Sequence, residues 1–209
     1  MSEQLLKARN MRCERGGRVL FENLEFSVAA GEVVQLCGPN GSGKTTLLRS
    51  LSGLSSCFSG DLLWRDEPIR DARFDYLSDL LYIGHSAGIK AALSPLENLH
   101  WSVSSRQMKA NSSYEQALDR VGLYGYEDTP CFMLSAGQQR RVNLARLFLL
   151  QVSLWILDEP FTAIDTGGVA ELEGWLGEHV SGGGAVLLTT HHELNLDVPV
   201  KRVELVEPC

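Results

Sequence analysis

The chain has 209 residues, of which 44% are hydrophobic, which suits one α/β domain with a substantial core and leaves no room for a second. Its formal net charge is -7, and no stretch clusters Lys and Arg broadly, which disfavours a nucleic-acid partner. The N-terminal MSEQLLKARN lacks the apolar segment of a secretory signal, so we expect a cytoplasmic protein. The most apolar stretch, 142–157, is interrupted by Arg146, so work at a membrane would require docking through a partner.

The cysteines are scattered, and none of them forms a CxxC pair of the kind that indicates zinc or redox chemistry. They are Cys13, Cys37, Cys57, Cys131 and Cys209. An odd number at irregular spacing favours reduced thiols over a disulfide framework.

In chain order, the first segment alternates apolar and polar residues from Leu5 to Val28 and carries turn residues at Gly16 and Gly17. This pattern predicts antiparallel strands on one flank of the fold. Short apolar runs of β type follow at 32–37, 80–83, 154–157 and 185–190. Helical patterns lie between these runs, which predicts a mostly parallel sheet covered by helices, all within one domain spanning 1–209.

The middle of the chain, roughly 88–150, is predicted to be helical. Ser94 and Glu97 form a capping box in SPLE, with a Pro that suits the first turn of a helix. A second helix is predicted over 114–122, where Gly122 ends it.

The segment GPNGSGKTT follows an apolar strand and precedes a helical pattern, which is the context of a phosphate-binding Walker A loop. Its residues are Gly38, Pro39, Asn40, Gly41, Ser42, Gly43, Lys44, Thr45 and Thr46. Glycines let backbone N–H groups close around phosphate oxygens, and the helix dipole favours an anion. Lys44 is predicted to reach the β- and γ-phosphates and Thr45 to bind Mg²⁺, with Ser42 and Thr46 supporting the loop. Kinases and GTPases carry this loop too, and a Gly-rich turn with a chance Lys is the structural alternative.

A carboxylate pair ends the strand in LWILDEP, where open α/β sheets bind their ligands. Asp158 is predicted to hold Mg²⁺, and Glu159 to act as general base or to orient the attacking water. The alternative is an Asp-Glu pair that starts a helix. His191 follows the next strand and could contact the γ-phosphate or the water, although a lone His is more often structural. Thr190 and Glu193 predict a capping box there.

The run LSAGQQRR opens a further amphipathic helix, whose N-terminus is another potential anion site. It begins with Ser135, Ala136, Gly137 and Gln138. An ordinary capping box explains the Ser and the Gln but not the order of all the motifs along the chain.

Walker A, then LSAGQ, then LDEP, then a strand-terminal His resembles the ATP-binding cassette family over essentially the full chain. The resemblance implies a P-loop NTPase core with helices on both sheet faces, ATP and Mg²⁺ as cofactors, and a head-to-tail dimer enclosing two ATP molecules. Ser135 and Gly137 would then contact the γ-phosphate in the partner's site, and Asp165 in FTAID matches the loop that links the sites. Ala136 replaces the usual first Gly and should be tolerated.

LSAGQQRRVNLARL and WILDEPFTAID are similar to the ATP-binding subunits of haem exporters of bacterial cytochrome c maturation. That resemblance implies a peripheral protein on the cytoplasmic face of the inner membrane, bound to integral-membrane subunits. Its hydrolysis would move haem or release a haem-loaded chaperone. No CxxCH occurs, so direct haem binding is not expected. Export of another substrate and a soluble cassette ATPase remain alternatives, whereas a P-loop kinase leaves LSAGQ and FTAID unexplained.

Two further positions depart from the wider family pattern. His85 stands where a Gln usually senses the γ-phosphate and Mg²⁺ and contacts the membrane subunit, and a neutral imidazole can accept from a metal-bound water. Arg15 stands near the usual aromatic residue that stacks on adenine, and a guanidinium can also stack on a purine.

Overall fold

The computed structural model describes residues 3–86, 88–104 and 112–205. The chain divides into two compact units. An α/β unit comprises Met1–Tyr82, Val152–Pro160 and Ala170–Cys209, and a helical unit comprises Ile83–Gln151 and Phe161–Val169. Cys209 and residues 105–111 of the predicted helical block lie outside the described residues.

The strands and helices follow the predicted order along the chain. The strands are β1 (Gln4–Arg15), β2 (Arg18–Ala29), β3 (Val33–Cys37), β4 (Phe58–Trp64), β5 (Glu67–Pro68), β6 (Leu80–Ile83), β7 (Leu154–Asp158), β8 (Ala185–Thr189) and β9 (Val200–Glu204). The helices are α1 (Lys44–Leu51), α2 (Arg73–Ser78), α3 (Pro95–Ser104), α4 (Tyr114–Arg120), α5 (Ala136–Leu144) and α6 (Thr166–Ser181), with 3₁₀ turns at Cys131–Met133 and Ala145–Phe148. No helix in the described ranges combines the length and the apolar character that crossing a membrane requires.

The predicted antiparallel flank is a sheet with strand order β2-β1-β4-β5. β1 and β2 form a hairpin in which Arg15 pairs with Arg18. Gly16 and Gly17 close this hairpin with φ values of 60° and 78°, in the left-handed region that glycine enters without a steric cost. The hairpin prediction is therefore confirmed, including its turn.

The second sheet has the order β6-β7-β8-β3-β9, with parallel pairing of β7 with β8, β8 with β3, and β3 with β9. Every residue of β7 and β8 is buried. Strands covered on both faces are apolar throughout because no side is left to solvent, which explains the runs LWIL and AVLLT. The carboxyl ends of β3 and β7 lead into the two motifs expected to hold the nucleotide.

The helical unit contains both of the predicted helix starts. The Ser94 Oγ accepts from the Glu97 N–H at 3.2 Å, and the Glu97 Oε2 accepts from the Ser94 N–H at 2.8 Å, which confirms the capping box. α4 is followed by Gly122 at φ 72°, as expected for a glycine beyond a helix end.

The capping box predicted at Thr190 and Glu193 is wrong, because no helix follows β8 in the residues described, which extend to 205. The Thr190 Oγ1 accepts from the His192 N–H at 2.9 Å, two residues on rather than three, which turns the chain without starting a helix. The Glu173 Oε1 on α6 accepts from the Asn195 N–H at 2.7 Å and so holds the extended path that follows.

Candidate nucleotide-binding site

Two glycines of the loop between β3 and α1 combine a positive φ with close neighbours, so that no other residue fits there. Gly38 and Gly43 have φ values of 141° and 95°. A Cβ on Gly38 would lie 2.8 Å from the Leu205 carbonyl oxygen, and one on Gly43 would lie 3.1 Å from the Leu20 Cβ. Gly43 is also the N-cap of α1 and supplies no side-chain cap, so the amides of the first turn are left for an external acceptor.

Two side chains of this loop have polar groups suited to phosphate oxygens. The Ser42 Oγ is buried in a residue that is 1% exposed, and it has no hydrogen-bond partner within the described part of the chain. The Lys44 Nζ donates to the carbonyl oxygens of Gly38 at 2.6 Å and Pro39 at 3.0 Å, so the ammonium lies over its own loop. A buried hydroxyl without a partner is costly unless a ligand satisfies it, and a phosphate oxygen fits that need.

Asp158 ends β7 as the centre of a small hydrogen-bond network. Its Oδ1 accepts from the Thr45 Oγ1 at 3.2 Å and from the Thr189 Oγ1 at 2.8 Å, and the residue is 1% exposed. Because Asp158 and Thr189 are register partners on β7 and β8, the sheet itself fixes the carboxylate. A threonine hydroxyl beside a carboxylate is the kind of oxygen donor set that Mg²⁺ takes together with water.

Glu159 has a left-handed backbone, with φ 49°, that carries the chain sharply out of β7. Its N–H donates to both the carbonyl oxygen and the Oγ1 of Thr189, each at 3.1 Å. A non-glycine residue in this region is strained and persists where the surroundings fix it, which is common at functional sites. The His191 Nε2 lies 3.7 Å from the Glu159 Oε1, so the structure brings together the two residues predicted to be catalytic.

Arg15 lies at the exposed end of β1, next to the turn of the β1–β2 hairpin. The second strand of that hairpin places Leu20 and Phe21 against the position of Gly43. The hairpin therefore packs against the phosphate loop, while adenine stacking by Arg15 remains a prediction.

In the helical unit, Ser135 is the N-cap of α5. Its Oγ accepts from the Gln138 N–H at 3.2 Å, and the Gln138 Oε1 accepts from the Ser135 N–H at 2.9 Å. A Cβ on Gly137 would lie 3.0 Å from the Ala163 carbonyl oxygen, whereas Ala136 is exposed. Crowding thus explains why glycine stands at 137 while a methyl group is accommodated at 136.

Asp165 precedes α6, and its Oδ1 accepts from the Gly168 N–H at 3.1 Å and from the Arg141 Nη2 at 3.5 Å. The Arg141 Nη1 donates to the Val121 carbonyl oxygen at 2.8 Å. The Asp165 side chain remains 78% exposed, so this ion pair is weak and serves mainly to orient the loop.

His85 has an exposed side chain. Its backbone carbonyl oxygen accepts a hydrogen bond from Arg140, a residue that the sequence analysis did not identify. Arg140 is 3% exposed, and its Nη1 donates to the carbonyl oxygens of Gly84 at 2.8 Å and His85 at 3.4 Å. The two consecutive arginines of LSAGQQRR could have indicated this contact, because a charged residue on the inner face of an amphipathic helix needs hydrogen-bond partners.

The glycine-rich phosphate loop and the cluster of Thr45, Asp158 and Glu159, which lie at or after the carboxyl ends of β3 and β7 in one sheet, define a nucleotide-binding ATPase. Residues 21–162 match the family model described as ABC transporter, so the chain belongs to this family, as one of its ATPase subunits.

The relatives with high identity share one description. The chain is 55% identical over 201 residues to the cytochrome c biogenesis ATP-binding export protein CcmA of Hahella chejuensis, covering 96% of this chain and 95% of the relative. It is 52% identical over 195 residues to the protein of the same name from Pseudomonas fluorescens, covering 93% and 92%. At this identity and coverage the chain is a member of the CcmA family.

A solved structure supports the fold. A dimeric ATP-binding cassette in a post-hydrolysis state, bound to ADP and Pi, has a TM-score of 0.78 at 21% identity, covering 90% of this chain and 88% of that one. This likeness shows the cassette fold of the chain.

Proposed function

We propose that this ATPase binds Mg-ATP on the phosphate loop and uses its hydrolysis to power haem export, or release of a haem-loaded chaperone, in cytochrome c biogenesis. The observation that carries the ATPase part is the meeting of Thr45, Asp158, Glu159 and His191 at the loop. The names of the relatives support the biogenesis part. We further propose that residues 1–209 act as one nucleotide-binding domain, with the helical block 88–150 as its subdomain.

Binding of the triphosphate uses groups that already face the loop. Lys44 exchanges the two carbonyl oxygens it now contacts for phosphate oxygens, and the Ser42 hydroxyl gains its missing acceptor. Thr45 and, through water, Asp158 would hold Mg²⁺, which when bound neutralises phosphate charge.

Hydrolysis then needs one group to handle the attacking water. The half-buried Glu159 carboxylate accepts the proton of that water as the oxygen attacks the γ-phosphorus. His191, 3.7 Å from the same carboxylate, lies where it can hold the water or donate to a γ-phosphate oxygen. Two hydrogen bonds from the Glu159 N–H to Thr189 hold its backbone in the left-handed region, which sets the direction of its Cα–Cβ bond.

We propose that a second copy completes each site with Ser135 and Gly137. The capping box uses the Ser135 oxygen as an acceptor, which leaves the hydroxyl hydrogen available to donate to a phosphate oxygen. Ser135 is exposed, and the amides at the start of α5 lie beside it. Asp165 lies in the same unit, and its contacts with Arg141 and Gly168 hold the loop that we propose meets the second copy.

The integral-membrane partner is proposed from the export function in the relatives' name, with the ATPase peripheral on the cytoplasmic face of the inner membrane. The helical unit offers large exposed side chains for such a contact, including Trp101, Tyr124 and Phe132. Export of a different substrate is the second candidate, and one experiment separates the two.

The test compares Glu159→Gln with wild type in a strain lacking the native gene. Haem-stained cytochrome c would be quantified, and the detergent-extracted complex would be assayed for its subunits and for retained haem. We expect normal assembly, loss of mature cytochrome c, and haem held in the complex. Glu115→Gln, an exposed change on α4, is the matched control. Normal cytochrome c with an inactive ATPase would favour the other substrate.

A further inference from the structure

Two cysteines that are 44 positions apart lie side by side in the α/β unit. The Sγ atoms of Cys13 and Cys57 are 3.2 Å apart. Cys13 is a fully buried residue of β1, and its register partner on β4 is Phe58, so Cys57 immediately precedes the paired strand. Antiparallel pairing of β1 with β4 therefore holds the two sulfurs together, although nothing in their sequence spacing indicates it.

The surroundings of Cys57 differ from those of an ordinary packed thiol. The Ser55 Oγ donates to the Cys57 Sγ at 3.2 Å, and the Ser50 Oγ lies 3.5 Å from it. With the Cys13 thiol, three potential donors converge on one sulfur. A neutral thiol is a weak acceptor, whereas a thiolate is stabilised by such contacts.

The pKa values of the two thiols are shifted in opposite directions by their surroundings. Burial raises the pKa of the Cys57 thiol, but hydrogen bonds from Ser55, Ser50 and Cys13 outweigh it and leave that pKa below its ordinary value. Burial raises the pKa of Cys13 to about 12, with a further contribution from the hydrogen bond to Cys57. Cys57 is thus the thiol of the pair that attacks an oxidant first, and Cys13 is the thiol that then attacks the oxidised Cys57.

We propose that Cys13 and Cys57 form an oxidation site, at which a hydroperoxide converts the two thiols into an intrachain disulfide. The site is distinct from the nucleotide machinery, and it stands on the geometry of β1, β4 and the two serines.

The chemistry balances with one hydroperoxide. The Cys57 thiolate attacks a peroxide oxygen, the O–O bond breaks, and Cys57 becomes a sulfenic acid while hydroxide leaves and takes up a proton as water. The Cys13 sulfur then attacks the Cys57 sulfur as its proton passes to the departing hydroxyl, which leaves as a second water. Two thiols and one hydrogen peroxide yield one disulfide and two waters, and a dithiol reductant reverses the change.

The other described thiols serve as internal references. Burial raises the pKa of both Cys37 and Cys131. Their sequence neighbours include no second cysteine, and their sulfurs contact nitrogen or oxygen: Cys131 accepts from the Asn98 Nδ2 at 3.3 Å, and the Cys37 Sγ lies 3.9 Å from the Gln35 carbonyl oxygen. We therefore expect them to react more slowly than Cys57.

The experiment uses the full-length reduced protein, a small molar excess of hydrogen peroxide, alkylation of the remaining thiols, and tryptic mass spectrometry. Cleavage after Arg12, Arg15, Arg49 and Arg65 releases the segments 13–15 and 50–65. We expect these two peptides to appear linked, lighter by two hydrogen atoms than their sum, and to separate on reduction. Absence of the linked peptide while peroxide oxidises other cysteines would overturn the proposal.

Variants assign the order of the two steps. Cys13→Ser should stop Cys57 at the sulfenic acid, which dimedone traps, and Cys57→Ser should leave Cys13 unreacted. Ser55→Ala should slow disulfide formation by about two- to five-fold, because the lower thiolate fraction is only partly offset by higher nucleophilicity. Cys37→Ser is the matched control and should form the disulfide at the wild-type rate. An unchanged rate in Ser55→Ala, or oxidation of Cys13 by peroxide in Cys57→Ser, would contradict the assignment.

Discussion

The α/β unit and the helical unit each carry part of the nucleotide machinery, but they differ in how their polar groups are satisfied. In the α/β unit, Asp158 is buried and held by Thr45 and Thr189. In the helical unit, the Ser135 and Asp165 side chains are exposed, with hydrogen bonds to the starts of α5 and α6 and, for Asp165, an ion pair with an arginine of α5. The buried groups of the α/β unit are thus fixed by the sheet, whereas the exposed LSAGQ motif fits the proposed contact with a second copy.

The largest expected effect is on the α/β side. Glu159→Gln keeps the size and hydrogen-bonding capacity of the side chain but removes the base, so turnover should fall by about 100-fold or more while ATP binding is kept. Steady-state hydrolysis and retention of labelled ATP would measure this. Glu193→Gln, an exposed position two residues beyond His191, should hydrolyse ATP normally. Near-normal turnover in Glu159→Gln would show that the base is another group.

A histidine with a buried ring in the α/β unit predicts that the free energy of unfolding falls at acid pH. His179 stacks on Trp155 with ring centroids 3.8 Å apart, and burial lowers its pKa to about 4. The unfolded chain, with an ordinary imidazole near 6.5, binds the proton first, so the free energy of unfolding should fall by about 2–3 kcal/mol as the pH drops from 6.5 to 4. Urea unfolding across this window would measure the loss. His179→Phe should remove most of this slope, and an equal slope in both proteins would count against a buried neutral ring.

In the helical unit, adjacent positions of the motif should respond differently. Gly137→Ala must displace the Ala163 carbonyl oxygen, so we expect turnover to fall by about ten-fold through a shifted helix start. Ala136→Gly restores the usual family residue at an exposed position and should change turnover little. ATPase rates of the two variants at saturating ATP would decide this. Equal losses would mean that the close contact at Gly137 does not govern the motif.

The smallest expected effect concerns His85. Its carbonyl oxygen is held by Arg140 while its ring is exposed, so the ring adds little to folding, and its proposed role is in coupling. His85→Ala should lower partner-stimulated hydrolysis by about three-fold, the loss of one neutral hydrogen bond, and leave ATP affinity unchanged. His85→Gln should retain the stimulation. Both would be assayed with and without the membrane subunits, and full stimulation of the Ala variant would remove His85 from the coupling role.

Local patterns were readable from sequence, and long-range ones were not. The strand–loop–helix context of residues 38–46 and the capping boxes at Ser94 and Ser135 are defined within a few residues, so they could be predicted from the sequence. The prediction of a capping box at Thr190 was wrong because Glu173, on a helix that is distant in the sequence, binds the segment after Thr190.

Other features depend on contacts that sequence spacing does not encode. Thr189 donates to Asp158 only because β7 and β8 are neighbours in the sheet, and Cys13 meets Cys57 only because β1 pairs with β4. The left-handed backbone of Glu159 likewise follows from its contacts with Thr189. Knowledge of the strand order would have been needed to predict these features.

The most direct test of the proposed two-copy site is the activity of a mixture of two inactive variants. Lys44→Ala disables the phosphate loop, and Ser135→Arg disables the LSAGQ motif. If the motif acts on the partner's ATP, a mixed dimer retains one intact site, and an equimolar mixture should recover about a quarter of wild-type hydrolysis. If both groups served the ATP of their own chain, the mixture would be as inactive as either variant alone, and the account would be contradicted.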